Sequence, residues 1–386
     1  MSWPLVKLGA VCKLVNGDRG TNYPSKDSVL SHGIPFINAG NLTEEHSIVC
    51  SGANYISEER YDLLSNGKVQ YGDILFCLRG SLGKFAVVDS SVPKGAIASS
   101  LVIIRPDKSI CENYLKNYLR STLCAREISR FENGAAQPNL SAKDLREFEI
   151  PLPPLPEQKR IATILDKADA IRRKRQQAIQ LADDFLRAVF LDMLGDPVTN
   201  PKGWPKKSLK LLGKSATGRT PPSEKADMWG EGLPFVTPGD LSGRVDSSVR
   251  EVTQEGAEHS KVCRTGSLLV CCIGATIGKV GIAGCPVAFN QQINAQEWGA
   301  EILDVYGYFV FKLFPDLVRE RAIQTTLPIL KKSLFDEIEI PVPTKGIQEK
   351  FAVLAQKISS FSARHESGVE MPIFESLSQL AFSGQL

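Results

Sequence analysis

Short apolar runs and longer amphipathic stretches alternate along this chain of 386 residues. The short runs are bounded by turn residues and predict short strands; they include "DILFCL", "FAVV", "LVIIRP", "LLVCCI" and "EIEIP". Helical patterns lie between them at 112–128 and 303–323. The parts 1–150 and 203–340 are therefore predicted to be mixed α/β domains of the α+β class, not doubly wound parallel sheets.

A long helix is predicted over 157–194, which contains no glycine or proline and repeats apolar residues at alternating spacings of four and three. It follows "PLPPLP" and stops at Gly195. The same alternation predicts a second helix from Ile347, which Gly368 and Pro372 break before a short final helix. The two apolar seams are Ile164, Ala168, Ile171, Arg175, Ala178, Ala182, Phe185 and Val189, and Ile347, Phe351, Leu354, Ile358, Phe361 and His365.

The two heptad helices are expected to pack on each other, because a lone heptad helix is marginal in water. An antiparallel coiled coil of this kind would carry one globular domain at each end. The 38 residues of the first helix correspond to about 57 Å at 1.5 Å per residue. Duplex DNA repeats its groove every ~34 Å, so such a rod suits two DNA sites more than one turn apart.

The second half of the chain repeats the first. "EFEIPLPPLPEQKRIATIL" (147–165) returns as "EIEIPVPTKGIQEKFAVL" (337–354), and "HGIPFINAGNL" (32–42) returns as "EGLPFVTPGDL" (231–241). The tails "RAVFLDMLG" (187–195) and "QLAFSGQL" (379–386) also agree. Because these blocks keep the same order, we interpret the chain as an internal duplication. The predicted domains are a first recognition domain at 1–150, a central helix at 151–196, a second recognition domain at 197–343 and a C-terminal helix at 344–386.

Composition and charge are those of an ordinary globular protein, with 42% hydrophobic and 23% charged residues. The net charge of +3 neither demonstrates nor excludes nucleic-acid binding. No run of 18 apolar residues and no secretory leader pattern occurs, so neither a membrane span nor export is expected. The nine cysteines form no CxxC pattern and are predicted to be reduced, buried thiols of a cytoplasmic protein. The four histidines lack ligand spacing, so no catalytic metal is expected.

With these features, the chain resembles the specificity subunit of type I restriction–modification systems over essentially its whole length. The likeness is carried by the alternation of variable domains with the helices "IPLPPLPEQKRIATILD" and "IPVPTKGIQEKFAVL". The blocks "RGSLGK" (79–84), "GAAQPNLS" (134–141) and "GATIGK" (274–279) also resemble that family's recognition domains. In the second copy "TTLPILKK" replaces "AAQPNLSA" and "PTKGIQ" replaces "PPLPEQ", which limits the carry-over of Gln137 and Glu157 to the first half.

The resemblance implies a non-catalytic, sequence-specific DNA-binding subunit. Each recognition domain would read one half of a split DNA sequence, and the helices would set the spacing and dock two methyltransferase (modification) subunits. Restriction subunits with translocase and nuclease activity would join that core. The S-adenosylmethionine and the ATP with magnesium would belong to these partners, so that this chain itself holds no cofactor.

Catalytic motifs are weak or missing in the sequence. "GATIGK" is no phosphate-binding loop, because three residues instead of four separate its glycines and Val280 stands where a hydroxyl is needed. A glycine turn between two strands is the simpler interpretation. No Asn/Asp-Pro-Pro-aromatic loop of an amino-methyltransferase occurs. Two alternatives remain open, a stand-alone scaffold that binds proteins with its two domains and an NTPase that uses the glycine turns.

Candidate DNA contacts are polar or forked side chains on predicted loops, the types that read base edges or hold phosphates. In the first domain they are Arg19, Thr21, Asn22, Tyr23, Asn38, Asn41, Arg79, Ser81, Lys84 and Gln137. In the second domain they are Arg219, Thr220, Thr237, Asp240, Thr276, Lys279, Gln291 and Gln292. For each one the alternative is a solvated loop residue or a turn cap. Lys159, Arg160 and Lys167 are candidates for contact with a methyltransferase subunit. The run "RRKR" (172–175) fits a solvated helix face, the DNA spacer or a partner subunit.

Overall fold

Two units of similar construction make up the chain. The computed structural model describes residues 3–25, 28–131, 139–323, 327–366 and 373–386. One unit comprises Met1–Gln176 with Gly368–Leu386, and the other comprises Gln177–Ser367. Both combine short strands with helices, which confirms the predicted α+β class.

The first half of the chain holds nine named strands and six α-helices among its described residues. The strands are β1 (Leu5–Lys7), β2 (Cys12–Asn16), β3 (Ile34–Ile37), β4 (Asn54–Ile56), β5 (Ile74–Cys77), β6 (Phe85–Val87), β7 (Ala96–Ile97), β8 (Leu101–Pro106) and β9 (Glu149–Pro151). The helices are α1 (Leu8–Val11), α2 (Glu58–Leu63), α3 (Glu112–Leu119), α4 (Thr122–Phe131), α5 (Ala142–Arg146) and α6 (Leu155–Leu194).

The second half repeats this series with additional short strands. Its strands are β10 (Lys206–Ser208), β11 (Gly213–Thr217), β12 (Trp229–Val236), β13 (Gly243–Val245), β14 (Glu251–Val252), β15 (Val262–Cys263), β16 (Leu268–Cys271), β17 (Val280–Ala283), β18 (Val287–Phe289), β19 (Ile293–Trp298) and β20 (Glu339–Pro341). Its helices are α7 (Leu209–Leu212), α8 (Gln254–His259), α9 (Asp304–Leu313), α10 (Asp316–Arg319), α11 (Lys332–Asp336), α12 (Lys345–Glu366) and α13 (Ile373–Ser383).

The strand order of each first-unit sheet recurs in the second unit, where each sheet has one further strand at its edge. The first unit has the orders β2-β8-β5-β6 and β4-β3-β7, and the second has β11-β19-β16-β17-β13 and β14-β12-β18-β15. A two-stranded antiparallel pair completes each unit, with Val6 opposite Ile150 in one and Lys207 opposite Ile340 in the other. This shared order confirms the duplication that the sequence predicts.

The helix α6 starts two residues before the predicted start at 157 and ends at Leu194, as expected. Pro156 fits in its first turn, because N–H groups there have no acceptor within the helix. Gly195 ends it with a φ of 82°, and the Gly195 N–H donates to the Leu191 carbonyl at 3.0 Å. A left-handed glycine at this place is a common helix stop.

A buried glutamine ties the start of α6 to the first unit. Gln158 is 1% exposed. Its Oε1 accepts from the Cys111 N–H at 2.8 Å, and its Nε2 donates to the carbonyls of Ser109 at 3.1 Å and Pro153 at 2.8 Å. The side chain therefore fixes the proline-rich segment and the loop before α3 on the same helix turn.

Gln348 makes the same three bonds at the start of α12. Its Oε1 accepts from the Leu303 N–H at 2.9 Å, and its Nε2 donates to the carbonyls of Glu301 at 3.0 Å and Pro343 at 2.8 Å. Gln348 is fully buried. The segments "PPLPEQ" and "PTKGIQ" differ at most positions, but both end in a glutamine that makes the same three hydrogen bonds.

The predicted heptad seam of α6 is only partly the buried face. Ile171 and Phe185 are 50% and 59% exposed. The reason is that each part of the helix packs on its own globular unit, whose apolar surface selects positions offset from the seam. The buried residues are Ile161, Ala162, Leu165 and Ala168 in the first unit and Leu186, Phe190 and Leu194 in the second.

Within the second unit α6 and α12 lie antiparallel. Phe190 packs edge-on against Phe351, with 5.2 Å between ring centroids. Ala182 and Phe185, earlier in α6, line a groove together with Ile358, later in α12. The predicted antiparallel contact between the two helices is therefore present in this unit.

The final helix α13 packs in the first unit at the place that corresponds to the end of α6 in the second unit. Each of the two helices accepts a hydrogen bond from a tryptophan of its own unit. The indole N–H of Trp204 donates to the Leu194 carbonyl at 2.9 Å, and the indole N–H of Trp3 donates to the Ala381 carbonyl at 2.9 Å. Each tryptophan precedes a proline and the first strand of its unit. The likeness of the two sequence tails is thus a structural equivalence.

One buried carboxylate in the first unit forms ion pairs with three arginines. Asp169 of α6 is 3% exposed and contacts Arg120, Arg172 at 3.0 Å and Arg173 at 3.1 Å. Burial alone would raise the pKa of Asp169, but hydrogen bonds and charge from the arginines outweigh it and lower that pKa below its ordinary value. Two residues of the "RRKR" run are therefore bound within the chain.

We expect Asp169→Asn to lower the free energy of unfolding at pH 7 by about 2 kcal/mol. Because the pKa of Asp169 is lower in the folded state, its stabilisation is present above the ordinary carboxyl pKa of about 4 and is lost as the pH falls through the folded value. Hydrogen exchange of first-unit peptides in increasing urea, at pH 7 and well below pH 4, measures the difference. Asp192→Asn, at an exposed site of the same helix, is the control. An equal loss at both pH values would contradict this electrostatic account.

Candidate nucleic-acid interface

Four loops of the second unit meet where four strands end. They are residues 218–220, 237–240, 274–279 and 290–292, which follow β11, β12, β16 and β18. Both β11 and β16 run antiparallel to β19, and β12 runs parallel to β18, so strands within each sheet end at the same edge. The Asn290 N–H donates to the Val236 carbonyl at 3.1 Å, and the Gly218 N–H donates to the Ile293 carbonyl at 3.0 Å. We call this region the second four-loop edge.

Candidate side chains connect the loops after β11 and β18 and hold the second of these loops together. The Thr220 hydroxyl donates to Gln291 Oε1 at 2.6 Å. Gln292 Oε1 accepts from the Asn290 amide at 3.1 Å. Arg219 is exposed beside them, and its backbone N–H donates to the Phe289 carbonyl at 3.0 Å. Sequence reasoning therefore chose residues that lie together in space although they are far apart in the chain.

Lys279 joins the glycine turn to the neighbouring loop. Its Nζ donates to the carbonyls of Pro238 at 3.0 Å and Gly239 at 3.3 Å. Thr276, on the same turn, is exposed. Gly274 and Gly278 have φ values of 97° and 86°, and the turn connects the antiparallel strands β16 and β17. The interpretation of "GATIGK" as a glycine turn between strands is thus confirmed.

Asp240 organises the loop after β12. One carboxylate oxygen accepts from the Thr237 hydroxyl at 2.7 Å and from the Thr237 N–H at 2.8 Å, and the other accepts from the Val249 N–H at 3.3 Å. Desolvation opposes ionisation, but these hydrogen bonds hold the pKa of Asp240 below its ordinary value. Asp240 is therefore an anion at neutral pH with both oxygens engaged inside the chain.

The first unit has an equivalent edge. Its loops are residues 17–23, 38–41, 78–84 and 98–100, which follow β2, β3, β5 and β7. Arg19 donates to the Ser99 carbonyl at 3.4 Å, and the Tyr23 hydroxyl lies 3.5 Å from Ser99 Oγ. Asn22 Nδ2 donates to the Leu63 carbonyl at 3.0 Å, and Thr21 is exposed. We call this region the first four-loop edge.

Two asparagines of the first edge are turn caps. Asn38 Oδ1 accepts from the Gly40 N–H at 2.8 Å, and Asn41 Oδ1 accepts from the Asn38 N–H at 3.0 Å. Asn41 is 7% exposed, and its amide donates to the Val49 carbonyl at 3.1 Å. DNA contact by Asn38 and Asn41 stays a prediction, but their oxygens already hold the loop.

The glycine turn of the first edge spans residues 79–84 and carries three of the candidate residues. Arg79 and Ser81 are exposed, and Lys84 pairs with the exposed Glu44 at 3.4 Å. Gly80 and Gly83 have φ values of 77° and 80°. Gln137 lies outside the described residues.

The candidates for partner contact lie on the exposed side of the start of α6. Lys159, Arg160 and Lys167 are all exposed. Arg160 forms an ion pair with Glu157 at 2.7 Å and donates to the Leu386 carbonyl at 2.9 Å. Their role toward a methyltransferase subunit stays a prediction.

Sequence reasoning missed Ser99 and Ser100. They occupy the loop after β7 that corresponds to Gln291 and Gln292 after β18. The signal was present in the duplication, because "AIASSLVII" (96–104) aligns with "AFNQQINAQ" (288–296) when the buried strands are matched. Serine was overlooked because it is a common turn residue.

The described residues were compared with the requirements of a metal site, a reactive thiol and a membrane-spanning helix. No group of three or more His, Cys, Asp or Glu side chains there is placed to hold a metal ion. Burial raises the pKa of Cys12, Cys124 and Cys272 to about 12, so these thiols are protonated at neutral pH. None of the described helices has the length and apolarity needed to cross a bilayer.

Comparison with known proteins identifies one family. The profile described as "Type I restriction modification DNA specificity domain" matches residues 2–181 and again residues 201–364. The specificity subunit of the type I restriction enzyme MjaIX of Methanocaldococcus jannaschii is 24% identical over 356 residues, which cover 84% of this chain and 80% of that protein. The HindI specificity subunit of Haemophilus influenzae is 22% identical, and the alignment covers 88% of this chain and 91% of that protein.

Solved structures share the fold. The S subunit of a type I restriction–modification system from M. genitalium aligns with a TM-score of 0.61 and 16% identity over 99% of this chain and 96% of that one. A chain from a structural study of assembly and conformational transition in a type I R-M system aligns with a TM-score of 0.57 and 19% identity. The alignment covers 100% of this chain and 98% of that chain. At these identities the likeness concerns the fold.

Proposed function

This chain belongs to the type I restriction modification DNA specificity family, and we propose that it reads DNA through the four-loop edge of each unit. Each edge reads one half of a split sequence, and the domains 1–150 and 197–343 are the recognition domains. The observation that carries this proposal is the convergence of the same four loops in both units. Their side chains are arginine, lysine, amides and hydroxyls, which suit base edges and phosphates.

The chain acts without catalysis of its own. The helices 151–196 and 344–386 set the distance between the half-sites and dock two methyltransferase subunits, to which restriction subunits are added. S-adenosylmethionine and ATP with magnesium bind to those partners, and the complex works on double-stranded DNA in the cytoplasm. The exposed basic residues of α6 support the docking, and the free cysteines fit a reducing compartment.

Selection from a randomised DNA pool tests the proposal. The full chain, alone and with its methyltransferase partner, is expected to enrich a gapped two-part sequence. A variant with alanine at Arg79, Ser81 and Lys84 is expected to lose selection at one half only, and Thr276→Ala is expected to weaken the other half. Equal loss at both halves would contradict the division of labour, and enrichment of no gapped sequence would contradict DNA reading by this chain.

A further inference from the structure

A fifth loop, residues 260–261, reaches the second four-loop edge. It precedes β15, which runs antiparallel to β18. Because paired antiparallel strands run in opposite directions, the residues just before β15 lie at the same end of the sheet as the loop 290–292 that follows β18. The Ser260 hydroxyl also donates to the Arg219 carbonyl at 2.6 Å. This fifth loop is therefore bonded directly to a loop of the edge.

The first unit has the counterpart of this loop at residues 64–67. They precede Lys68, which forms an antiparallel bridge to Ala96 of β7, as β15 pairs with β18. The Ser65 N–H donates to the Asp18 carboxylate at 2.7 Å. Both units thus bond the fifth loop to the loop that follows β2 or β11, although different residues make the bond. The position of the loop is therefore a feature of the duplicated fold and does not depend on one side chain.

The fifth loop of the second unit adds a cation beside another cation. Lys261 is exposed, and so is Arg219 on the loop to which it is bonded. Neither side chain forms an ion pair or a hydrogen bond with any residue that the structure describes. Glu258, the nearest acidic residue in the chain, accepts from the Gln254 amide at 3.3 Å. Because like charges on adjoining loops repel each other, binding of an anion from outside the chain would stabilise this arrangement.

Both loops lie at the rim of the edge. In the orders β11-β19-β16-β17-β13 and β14-β12-β18-β15, the strands β11 and β15 are the outermost strands of their sheets. The loops after β12, β16 and β18 follow inner strands. A major groove is about 12 Å wide, so loops from inner strands face the bases when the edge enters it. Loops at the rim then face the phosphates that border the groove.

We propose that Lys261 and Arg219 together hold a phosphate of the DNA strand that borders the half-site read by the second edge. This inference rests on the proposed function and adds to it a backbone contact on a fifth loop. Lysine acts as a point charge toward phosphate. Phosphate contacts fix the register of a protein on the duplex and carry no sequence information of their own.

The first unit lacks this cation. Gly67 precedes Lys68 as Lys261 precedes Val262, so Gly67 stands at the equivalent place. It has a φ of 80°, and a Cβ atom there would lie 2.9 Å from the Gly17 Cα. A lysine is therefore excluded at this position by the close approach of the two backbones. We expect the phosphate contact of the fifth loop at the second edge only.

The salt dependence of binding tests this contact. The full chain with its methyltransferase partner is bound to the selected gapped sequence at several salt concentrations. Lys261→Gln is expected to make the slope of log K against log salt shallower by about 0.9, and the double variant with Arg219→Gln by about 1.8. Lys261→Gln should weaken binding to the target and to its single-base variants by the same factor. Lys261→Arg should keep the wild-type slope, because it keeps the charge.

Lys210→Gln is the matched control. Lys210 is exposed in α7, which precedes β11 and therefore lies at the end of that strand away from the edge. This variant should keep the wild-type slope. A wild-type slope in Lys261→Gln overturns the inference while the proposed function stands. A loss of discrimination at one base position without a change of slope also overturns it, because Lys261 would then read a base. If the wild-type complex selects no gapped sequence, it is the proposed function that fails.

Discussion

Gln158→Ala is expected to destabilise the first unit by roughly 2 to 4 kcal/mol, because it leaves one buried carbonyl without a partner and removes two further hydrogen bonds to partly buried backbone groups. These groups belong to Cys111, Ser109 and Pro153. They lie at the junction where the globular part of the unit passes into α6. The loss should therefore be confined to this junction and the loop before α3, and should not extend to the second four-loop edge.

Hydrogen exchange with peptide resolution measures this effect in each unit separately, which a single unfolding curve of a two-unit chain does not. Gln158→Ala should reduce protection around 109–111 and 153–158. Gln348→Ala should do the same around 301–303 and 343–348, so each variant is the control for the other. Gln176→Ala, at an exposed site of α6, should have little effect. Unchanged protection in both junction variants would show that the buried glutamines do not hold the junctions.

The local elements of this fold are predictable because periodicity and turn residues are local signals. The end of α6 follows from Gly195, whereas its start lies two residues before the stretch 157–194 that lacks glycine and proline, because Pro156 fits in the first turn. The stretch 112–128 shows the limit of this reasoning, because it forms two helices instead of one. The Ser121 hydroxyl accepts from the Cys124 N–H and donates to the Tyr118 carbonyl, which starts a new helix within an unbroken amphipathic pattern.

The four-loop edges were predictable in membership but not in detail. Loop position and side-chain chemistry selected residues that the strand directions bring together, such as Thr220 and Gln291. The inward turn of Asn41 was not predictable, because it depends on the Val49 carbonyl eight residues later in the chain. The buried face of α6 differs from the heptad seam for a similar reason, since the surface of each globular unit decides which residues it covers.

The two glycine turns hold their lysines differently, and this difference predicts different functional losses. Lys279 donates to two carbonyls of the loop after β12, so it fixes the position of one recognition loop against another. Lys84 instead forms an ion pair with Glu44, whose side chain is 88% exposed. Charge-assisted hydrogen bonds are worth about 1.5 to 3 kcal/mol each, whereas exposed ion pairs contribute about 0 to 1 kcal/mol.

Lys279→Gln is therefore expected to lower discrimination at its half-site roughly tenfold to hundredfold, because the turn and the neighbouring loop lose their connection. Lys84→Gln should leave discrimination within about threefold. If Lys84 meets a phosphate, this variant should make the slope of log K against log salt shallower by about 0.9. Competition binding of the full complex to the selected target and its single-base variants, at several salt concentrations, measures both quantities. Equal losses of discrimination in the two variants would contradict the structural role of Lys279. A loss in Lys279→Gln that appears only in the salt slope would mean that this lysine binds DNA as a charge and does not order the loops that read it.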